Sequence, residues 1–218
     1  MSKANTLLVN EIFFSIQGES TYAGLPCIFV RLRGCPLRCG YCDTEYAFHE
    51  GSAMSFDEII AKISKYPCKL VELTGGEPLA QTQSINFLKK LIEKNYQVLL
   101  ETSGAIDVSN VPDQVEIIMD VKTPGSLENS KMIWDNFNFL KAKKDQVKFV
   151  ICSQQDFDYA IEISEKYDLF TKYPVLISPV HNDVKLDELS SWVLKSGLPF
   201  KMQLQMHKYI WPDIIKGV

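Results

Sequence analysis

Three cysteines lie close together in a short stretch that follows an apolar segment. Cys35, Cys39 and Cys42 have the spacing Cys-x3-Cys-x2-Cys. Thiolates bind soft metals, and iron–sulfur clusters are normally held by cysteine. Three thiolates on a four-iron cluster leave one iron open, and an open coordination position is typical of a metal site that does chemistry. The spacing therefore predicts a [4Fe-4S] cluster with one reactive iron.

Two plainer interpretations of the three cysteines are a zinc site and reduced structural thiols. A zinc ribbon requires a second Cys-x2-Cys pair, and the chain has only the one formed by Cys39 and Cys42. The spacing thus favours a cluster over zinc. The other cysteines, Cys27, Cys68 and Cys152, lie in or beside apolar strand patterns and are predicted to be small buried hydrophobes rather than ligands.

The composition narrows the class of protein. The chain has 218 residues, which is within the range of one domain, so we expect a single domain over residues 1–218. Its net charge is −4, which argues against a broad nucleic-acid surface. The sequence shows no signal peptide and no apolar run long enough to cross a membrane. Six cysteines in a chain of this size fit reduced thiols in the cytoplasm.

Apolar strand patterns alternate with helical ones along the chain. This alternation predicts a parallel sheet with right-handed crossovers. Six strand–helix units are too few for a closed eight-stranded barrel, so a partial barrel or an open α/β sheet is expected, and Val9 to Ile16 adds a strand before the units. The predicted strands are 26–33, 69–74, 97–102, 115–121, 147–152 and 173–178. The predicted helices are 55–66, 81–95, 131–144, 154–169 and 185–196.

Each predicted strand has one apolar face and gathers polar residues towards its C-terminal end. Glu72, Thr74, Glu101 and Asp120 alternate with apolar neighbours in this way. In parallel α/β folds the functional site lies at the C-terminal ends of the strands. The pattern predicts a site there, although an ion-pair network that only fills the barrel remains an alternative.

Four loops follow these strand ends, and the segments are Thr74–Pro78, Glu101–Gly104, Asp120–Pro124 and Ser178–Val180. Gly75 and Gly76 in the first of them allow a ligand to approach the backbone closely. Each segment alone could be an ordinary turn. Their shared position at strand ends favours one common ligand site.

The segment Ile16-Gln-Gly-Glu19 and the side chain of Arg31 indicate the chemistry of a substrate. The Glu19 carboxylate suits the N–H edge of a guanine-like heterocycle. Arg31 projects from a strand and suits a substrate carboxylate, which it can hold with two hydrogen bonds. A surface turn is the alternative interpretation of residues 16–19.

Taken together, these motifs resemble the 7-carboxy-7-deazaguanine synthase family of the radical S-adenosylmethionine (SAM) superfamily. The resemblance runs from about Glu11 to the C-terminus. The cysteine motif is specific only to the superfamily, and the Gln-Gly-Glu loop and the His-Lys-Tyr segment narrow it to the family. The matching segments are Phe-Ser-Ile-Gln-Gly-Glu (14–19), Phe-Val-Arg-Leu-Arg-Gly-Cys (29–35), Cys-Asp-Thr (42–44), Thr-Gly-Gly-Glu-Pro (74–78), Asp-Val-Lys-Thr-Pro (120–124) and Gln-Met-His-Lys-Tyr-Ile-Trp (205–211).

The resemblance implies a partial (β/α)6 barrel of the radical SAM type and a carbon–nitrogen lyase of queuosine biosynthesis. Such enzymes convert 6-carboxy-5,6,7,8-tetrahydropterin to 7-carboxy-7-deazaguanine with loss of ammonia. The implied cofactors are a [4Fe-4S] cluster on Cys35, Cys39 and Cys42, SAM, and Mg2+ at Thr44. The implied cofactor-binding residues are Tyr41, Asp43, Gly75, Gly76, Glu77, Ser103, Lys122, Thr123, Ser126, Ser178, Pro179 and Val180. The implied substrate-binding residues are Ile16, Gln17, Gly18, Glu19, Arg31, Thr74 and His207.

The resemblance also implies partners: a pterin substrate, an electron donor of the flavodoxin or ferredoxin type, and a second copy in a homodimer, with no nucleic acid and no membrane. The competing enzyme class is a radical SAM activase, which makes a glycyl radical on a protein partner. The Gln-Gly-Glu segment and Arg31 favour a small carboxylated heterocycle over a protein loop. A structural zinc protein or an electron carrier would not need a SAM-binding set spread over strand ends.

Overall fold

The computed structural model describes residues 5–181 and 183–218. Nine strands form one open sheet in the order β3-β1-β2-β4-β5-β6-β7-β8-β9. β1 runs antiparallel to its two neighbours, β2 and β3. The strands that follow in the order β2-β4-β5-β6-β7-β8-β9 each pair in parallel with the next. The strands are β1 Thr6–Ile16, β2 Pro26–Leu32, β3 Ser52–Ser55, β4 Leu70–Gly75, β5 Gln97–Thr102, β6 Glu116–Val121, β7 Gln146–Ile151, β8 Val175–Pro179 and β9 Lys201–Met202.

This topology is the predicted partial barrel of six parallel strands with an extra N-terminal strand, and the short β3 and β9 extend its two edges. The helices are α1 Phe56–Ile63, α2 Ser84–Glu93, α3 Gln154–Lys166, α4 Leu169–Lys172, α5 Leu186–Ser196 and α6 Met206–Ile210. Helices α2, α3 and α5 follow the parallel strands β4, β7 and β8, whereas α1 follows β3, α4 follows α3 and α6 follows β9. Ser55 begins α1 with a capping box to Glu58, which satisfies backbone donors that the first turn leaves free. None of these helices has the length and apolar character needed to span a membrane.

The helix predicted over 131–144 is wrong. The segment holds two short 3-10 turns, Asn129–Lys131 and Trp134–Asn138. The fully buried Asn136 donates from its side-chain amide to Gly104 O and Ile106 O at 3.0 and 2.9 Å, and accepts from Val108 N at 3.2 Å. These contacts secure the long β5–β6 connection, which itself contains no helix. An amide that serves another loop competes with helix formation, and sequence periodicity does not reveal it.

The two faces of the sheet are filled differently. The face under the helices is continuously apolar, as at Val30, Leu73 and Leu100. On the concave face, a small apolar cluster fills the end at which the parallel strands begin. In this cluster Phe13 stacks on Phe29 with ring centroids 4.8 Å apart. Polar residues take over towards the C-terminal ends of the strands. The fold therefore leaves a polar chamber at that end.

Candidate active site

A cavity of about 220 Å³ opens at the C-terminal ends of the parallel strands. It joins the cysteine loop at one side to the polar concave face at the other. Eighteen residues predicted to form the site line it: Ile16, Gln17, Gly18, Glu19, Arg31, Cys35, Cys39, Tyr41, Cys42, Asp43, Thr44, Thr74, Gly75, Gly76, Ser103, Lys122, Val180 and His207. Five predicted residues do not line it: Glu77, Thr123, Ser126, Ser178 and Pro179.

The cysteine loop is held by backbone hydrogen bonds to its surroundings. Arg38 N donates to the Glu128 carboxylate, and Gly40 N donates to Ser126 O at 3.1 Å. The guanidinium of Arg38 lies 4.2 Å from the centroid of the Phe48 ring. These contacts order the loop on one wall of the cavity, so its thiols share a common space.

Cys35, Cys39 and Cys42 are free, partly buried thiols. Burial raises the pKa of the Cys39 thiol to about 11, so metal binding at this loop must release protons. Within the described residues, no three His, Cys, Asp or Glu side chains converge as ligands of a single ion do. Three thiols that line one cavity suit a [4Fe-4S] cluster, in which each sulfur binds a different iron.

Gly75 and Gly76 are required by backbone packing. A Cβ on Gly76 would lie 2.3 Å from Gly34 O, and one on Gly75 would lie 2.4 Å from Leu32 O. Gly75 also has φ +151°, which side chains rarely adopt. The glycines therefore let the end of β4 lie directly against the end of β2 and the cysteine loop. The sequence interpretation, which assigned them only to close ligand approach, missed this contact.

Glu77 anchors the loop after β4 to the loop after β5. Its fully buried carboxylate accepts from the hydroxyl of Thr102 at 2.9 Å and from Ser103 N at 2.7 Å. It also accepts from Leu79 N at 2.9 Å. The residue thus lies behind the cavity wall, where it fixes Ser103, which does line the cavity.

Thr123 and Ser126 belong to a turn that supports the cysteine loop. The Thr123 hydroxyl donates to Val150 O at 3.1 Å, and the Ser126 hydroxyl donates to Thr123 O at 2.6 Å. The buried Asp156 accepts from Gly125 N at 2.8 Å and so ties the turn to the start of α3. These hydroxyls are engaged within the protein and serve to hold the wall in place.

Polar atoms without partners lie beside the cysteines. Lys122 Nζ pairs with one oxygen of Asp120 at 2.7 Å. The other Asp120 oxygen, the Tyr41 hydroxyl and the Ser178 hydroxyl are buried and have no hydrogen-bond partner among the described residues. Because buried polar atoms are normally satisfied, the first two, which belong to residues lining the cavity, indicate where a polar ligand would bind.

Lys148 lies at the cavity floor and was not among the predicted site residues. Its ammonium pairs with Glu19 at 2.8 Å and with Glu101. Although burial disfavours the ammonium, the Glu101 and Glu19 carboxylates raise the pKa of Lys148 well above its usual range. The same alternation with apolar neighbours that marked Glu72 and Glu101 also holds for Lys148, between Val147 and Phe149.

Glu72 and Gln17 form a hydrogen-bonded pair at the floor. The side-chain amide of Gln17 donates to the Glu72 carboxyl, and its oxygen accepts from Glu19 N at 3.0 Å. Burial, reinforced by the neighbouring Glu101, raises the pKa of Glu72 well above its usual range. Glu72 therefore holds residues 16–19 against the concave face, and its surroundings disfavour the charged form of its carboxyl group.

Arg31 reaches the cavity but is already paired. Its Nε donates to Glu11 Oε1 at 2.8 Å, and the Tyr46 hydroxyl donates to the same oxygen at 2.9 Å. Its guanidinium also lies 5.6 Å from the centroid of the Phe13 ring. Glu11 and Tyr46 therefore position Arg31, and no sequence motif had pointed to that role.

Residues 205–208 close the cavity from above. Gln205 donates to Glu19 at 3.0 Å, and Lys208 pairs with Asp43 at 2.7 Å. His207 packs so closely on Gly18 that a Cβ there would lie 2.6 Å from His207 Nδ1. Burial lowers the pKa of the His207 imidazole. Residues 205–208 thus connect the 16–19 segment to the cysteine loop.

The chain is similar in sequence to proteins of one known superfamily. The model of the radical SAM superfamily matches residues 29–192. The 7-carboxy-7-deazaguanine synthase of Koribacter versatilis is 42% identical over 96% of this chain and 99% of its own, and that of Chlorobaculum tepidum is 39% identical over 100% of both.

A similar fold occurs in solved structures. The structure of QueE from Escherichia coli has a TM-score of 0.73 at 20% identity and covers 94% of this chain and 99% of that one. SuiB of Streptococcus suis, solved with SAM bound, has a TM-score of 0.52 at 12% identity over 78% of this chain and 45% of that one. Identity this low supports the fold alone. The sequence relatives, the superfamily match and the cysteine-lined cavity together show that the chain belongs to the 7-carboxy-7-deazaguanine synthase family of radical SAM enzymes.

Proposed function

We propose that the protein converts 6-carboxy-5,6,7,8-tetrahydropterin to 7-carboxy-7-deazaguanine with loss of ammonia, as a radical SAM enzyme of queuosine biosynthesis. The observation that carries the proposal is one cavity in which the three-cysteine loop faces a floor of paired acidic and basic side chains. A small heterocycle with a carboxylate and several N–H groups matches such a floor.

The cysteine loop and the strand ends fit a cluster and SAM. Cys35, Cys39 and Cys42 would hold a [4Fe-4S] cluster, and the free polar atoms of Tyr41 and Asp120 would meet polar groups of SAM. When bound, the cluster and SAM supply hydrogen-atom abstraction. The chain's own groups hold the reactants beside each other and exclude water.

The concave floor fits the substrate. In the proposed arrangement Arg31, fixed by Glu11, binds the substrate carboxylate, and Glu19 accepts from the pyrimidine N–H groups. Ile16, Gln17 and Gly18 form one side, Thr74 lies at the end of β4, and His207 covers the top. Lys148 keeps Glu19 ionised, which is the state that accepts hydrogen bonds.

Further parts of the proposal concern Mg2+, partners and location. Thr44 and Asp43 offer hard oxygen atoms at the cavity mouth, joined by a hydrogen bond of 2.9 Å, which supports Mg2+ beside Thr44. All six cysteines are free thiols, which supports a reducing, cytoplasmic location. The homodimer and an electron donor of the flavodoxin or ferredoxin type are proposed from the family resemblance.

The test is an anaerobic incubation of the iron-loaded protein with the carboxypterin, SAM and a reductant. We expect 7-carboxy-7-deazaguanine and ammonia in equal amounts, with no product from a Cys39→Ala variant. A protein that cleaves SAM but leaves the pterin unchanged would contradict the proposal. Formation of a glycyl radical on an added protein would instead support the activase, which the tail-covered cavity disfavours.

A further inference from the structure

Glu72 is a buried carboxyl group at the cavity floor that forms no ion pair with the residues that the structure describes. It lies on the inner face of β4, is 2% exposed and lines the cavity. Its one hydrogen bond to a side chain comes from the neutral amide of Gln17. Among the ion pairs of residues 5–181 and 183–218, none includes Glu72.

The cations within reach are already shared among other acids. Lys148 contacts both Glu19 and Glu101. Arg31 contacts Glu11. The charged and titratable groups that face Glu72 are Glu19 from the segment after β1, Cys27 and Arg31 from β2, Glu101 from β5 and Lys148 from β7.

An unpaired carboxylate in such a place is far less stable than the protonated acid. Of these three floor acids, Glu19 and Glu101 each form an ion pair with Lys148, whereas Glu72 is left to hold a proton. With Glu72 protonated, the cavity floor would hold one exchangeable proton.

We propose that Glu72 is a catalytic acid of this enzyme and supplies a proton to the nitrogen that leaves the substrate. This inference rests on the proposed function. The departing nitrogen takes the electron pair of its breaking carbon–nitrogen bond and receives the Glu72 proton. The resulting Glu72 carboxylate recovers a proton from a ring carbon as the five-membered ring becomes aromatic. Nothing is oxidised or reduced in this exchange, and ammonia is the only loss.

The rate test replaces Glu72 by a side chain of the same shape. We expect Glu72→Gln to bind the pterin within about threefold of the parent, yet to form product about 100-fold more slowly, the usual scale of general acid catalysis. Glu116→Gln is the matched control, because Glu116 is a carboxyl group on the same face of the sheet at the N-terminal end of β6, away from the cavity. It accepts hydrogen bonds from Tyr22 and Gln146. The control variant should retain the parent rate. Glu72→Asp, which keeps an acid, should recover part of the lost rate.

Two outcomes of this test would overturn the assignment. One is product formation by Glu72→Gln at the parent rate, and the other is a loss of rate fully explained by weaker pterin binding. Both are read against parent protein that makes product. Parent protein that makes none refutes the proposed function itself, which is a different result.

A second measurement needs neither cluster nor substrate. The infrared spectrum of the protein as isolated, at neutral pH, should contain the C=O stretch of a protonated carboxyl. This band should disappear in Glu72→Gln and persist in Glu116→Gln. A band that is absent from the parent, or that survives Glu72→Gln unchanged, would show that Glu72 carries no proton and would refute the proposal.

Discussion

Arg31 shows how a side chain's position can be predicted while its neighbours cannot. The alternation of β2 placed it on the concave face, where the structure finds it. Its partners Glu11 and Tyr46 come from β1 and from the segment after the cysteine loop. Removing Arg31 therefore also leaves the half-buried Glu11 without its cation.

We expect Arg31→Gln to abolish product formation. Loss of a desolvated charge partner for the substrate carboxylate costs on the order of 2–5 kcal/mol. Glu11→Gln should reduce the rate much less, since the guanidinium remains and only its orientation is relaxed. Both variants should retain slow, substrate-independent SAM cleavage. Product from Arg31→Gln at the parent rate would remove Arg31 from the substrate site.

Glu72 should make the free energy of unfolding depend on pH. A group whose pKa is raised on folding contributes stability that is present below its unfolded pKa, here about 4.5, and is lost as the pH rises towards the folded value. Glu72→Gln does not ionise and avoids this loss. The stability of the variant relative to the parent should therefore rise as the pH increases above about 4.5, as measured by urea unfolding at several pH values. A constant difference would contradict a raised pKa.

At the scale of elements, the sequence predicted six parallel strands within about two residues of each bound because each buries one apolar face, but it did not predict the two-residue β9. Connections were harder to predict. The 131–144 segment has helix-like spacing but is bound through Asn136 to residues 104–108. Lys148 could have been found from the same alternation as Glu101. The contact of Gly76 with Gly34 could not, because it depends on how two loops meet.

That contact predicts an effect of one added methyl group. Gly76→Ala would bring its Cβ within 2.3 Å of Gly34 O, so the cysteine loop must shift. We expect a loss of stability of about 1–3 kcal/mol and a lower iron content after anaerobic reconstitution. The control is Gly40→Ala inside the loop itself, where the new Cβ would lie 3.7 Å from Leu127 and is tolerated. Equal iron content in the two variants would contradict the packing role of Gly76.

At the scale of the whole molecule, the cavity is closed by contacts between residues that are far apart in the chain. Lys208 bonds Asp43, and Gln205 bonds Glu19, so the 205–208 segment closes the chamber. The family motif pointed to His207 but not to these bonds. Their geometry follows from the curvature of the sheet, which the sequence pattern does not specify.

Lys208→Met should loosen this closure. A partly exposed ion pair contributes up to about 1 kcal/mol, so the KM for the pterin should rise a few-fold while iron content and SAM binding stay unchanged. Lys216→Met, which breaks the exposed pair with Glu50, serves as the control and should leave KM at the parent value. A loss of iron in Lys208→Met would mean that the pair supports the cysteine loop instead.

The hydrogen bond between Glu19 and Gln205 spans 186 residues, whereas the parallel strands from β4 to β9 pair with their neighbours in chain order. During synthesis the sheet can therefore grow strand by strand as the chain emerges, and the cysteine loop has its partners Ser126 and Glu128 before residues 205–208 are made. Closure of the chamber must await the 205–208 segment, a contact of high sequence separation that forms slowly. The order of assembly thus gives an interval in which the three thiols are gathered while the chamber above them is still open.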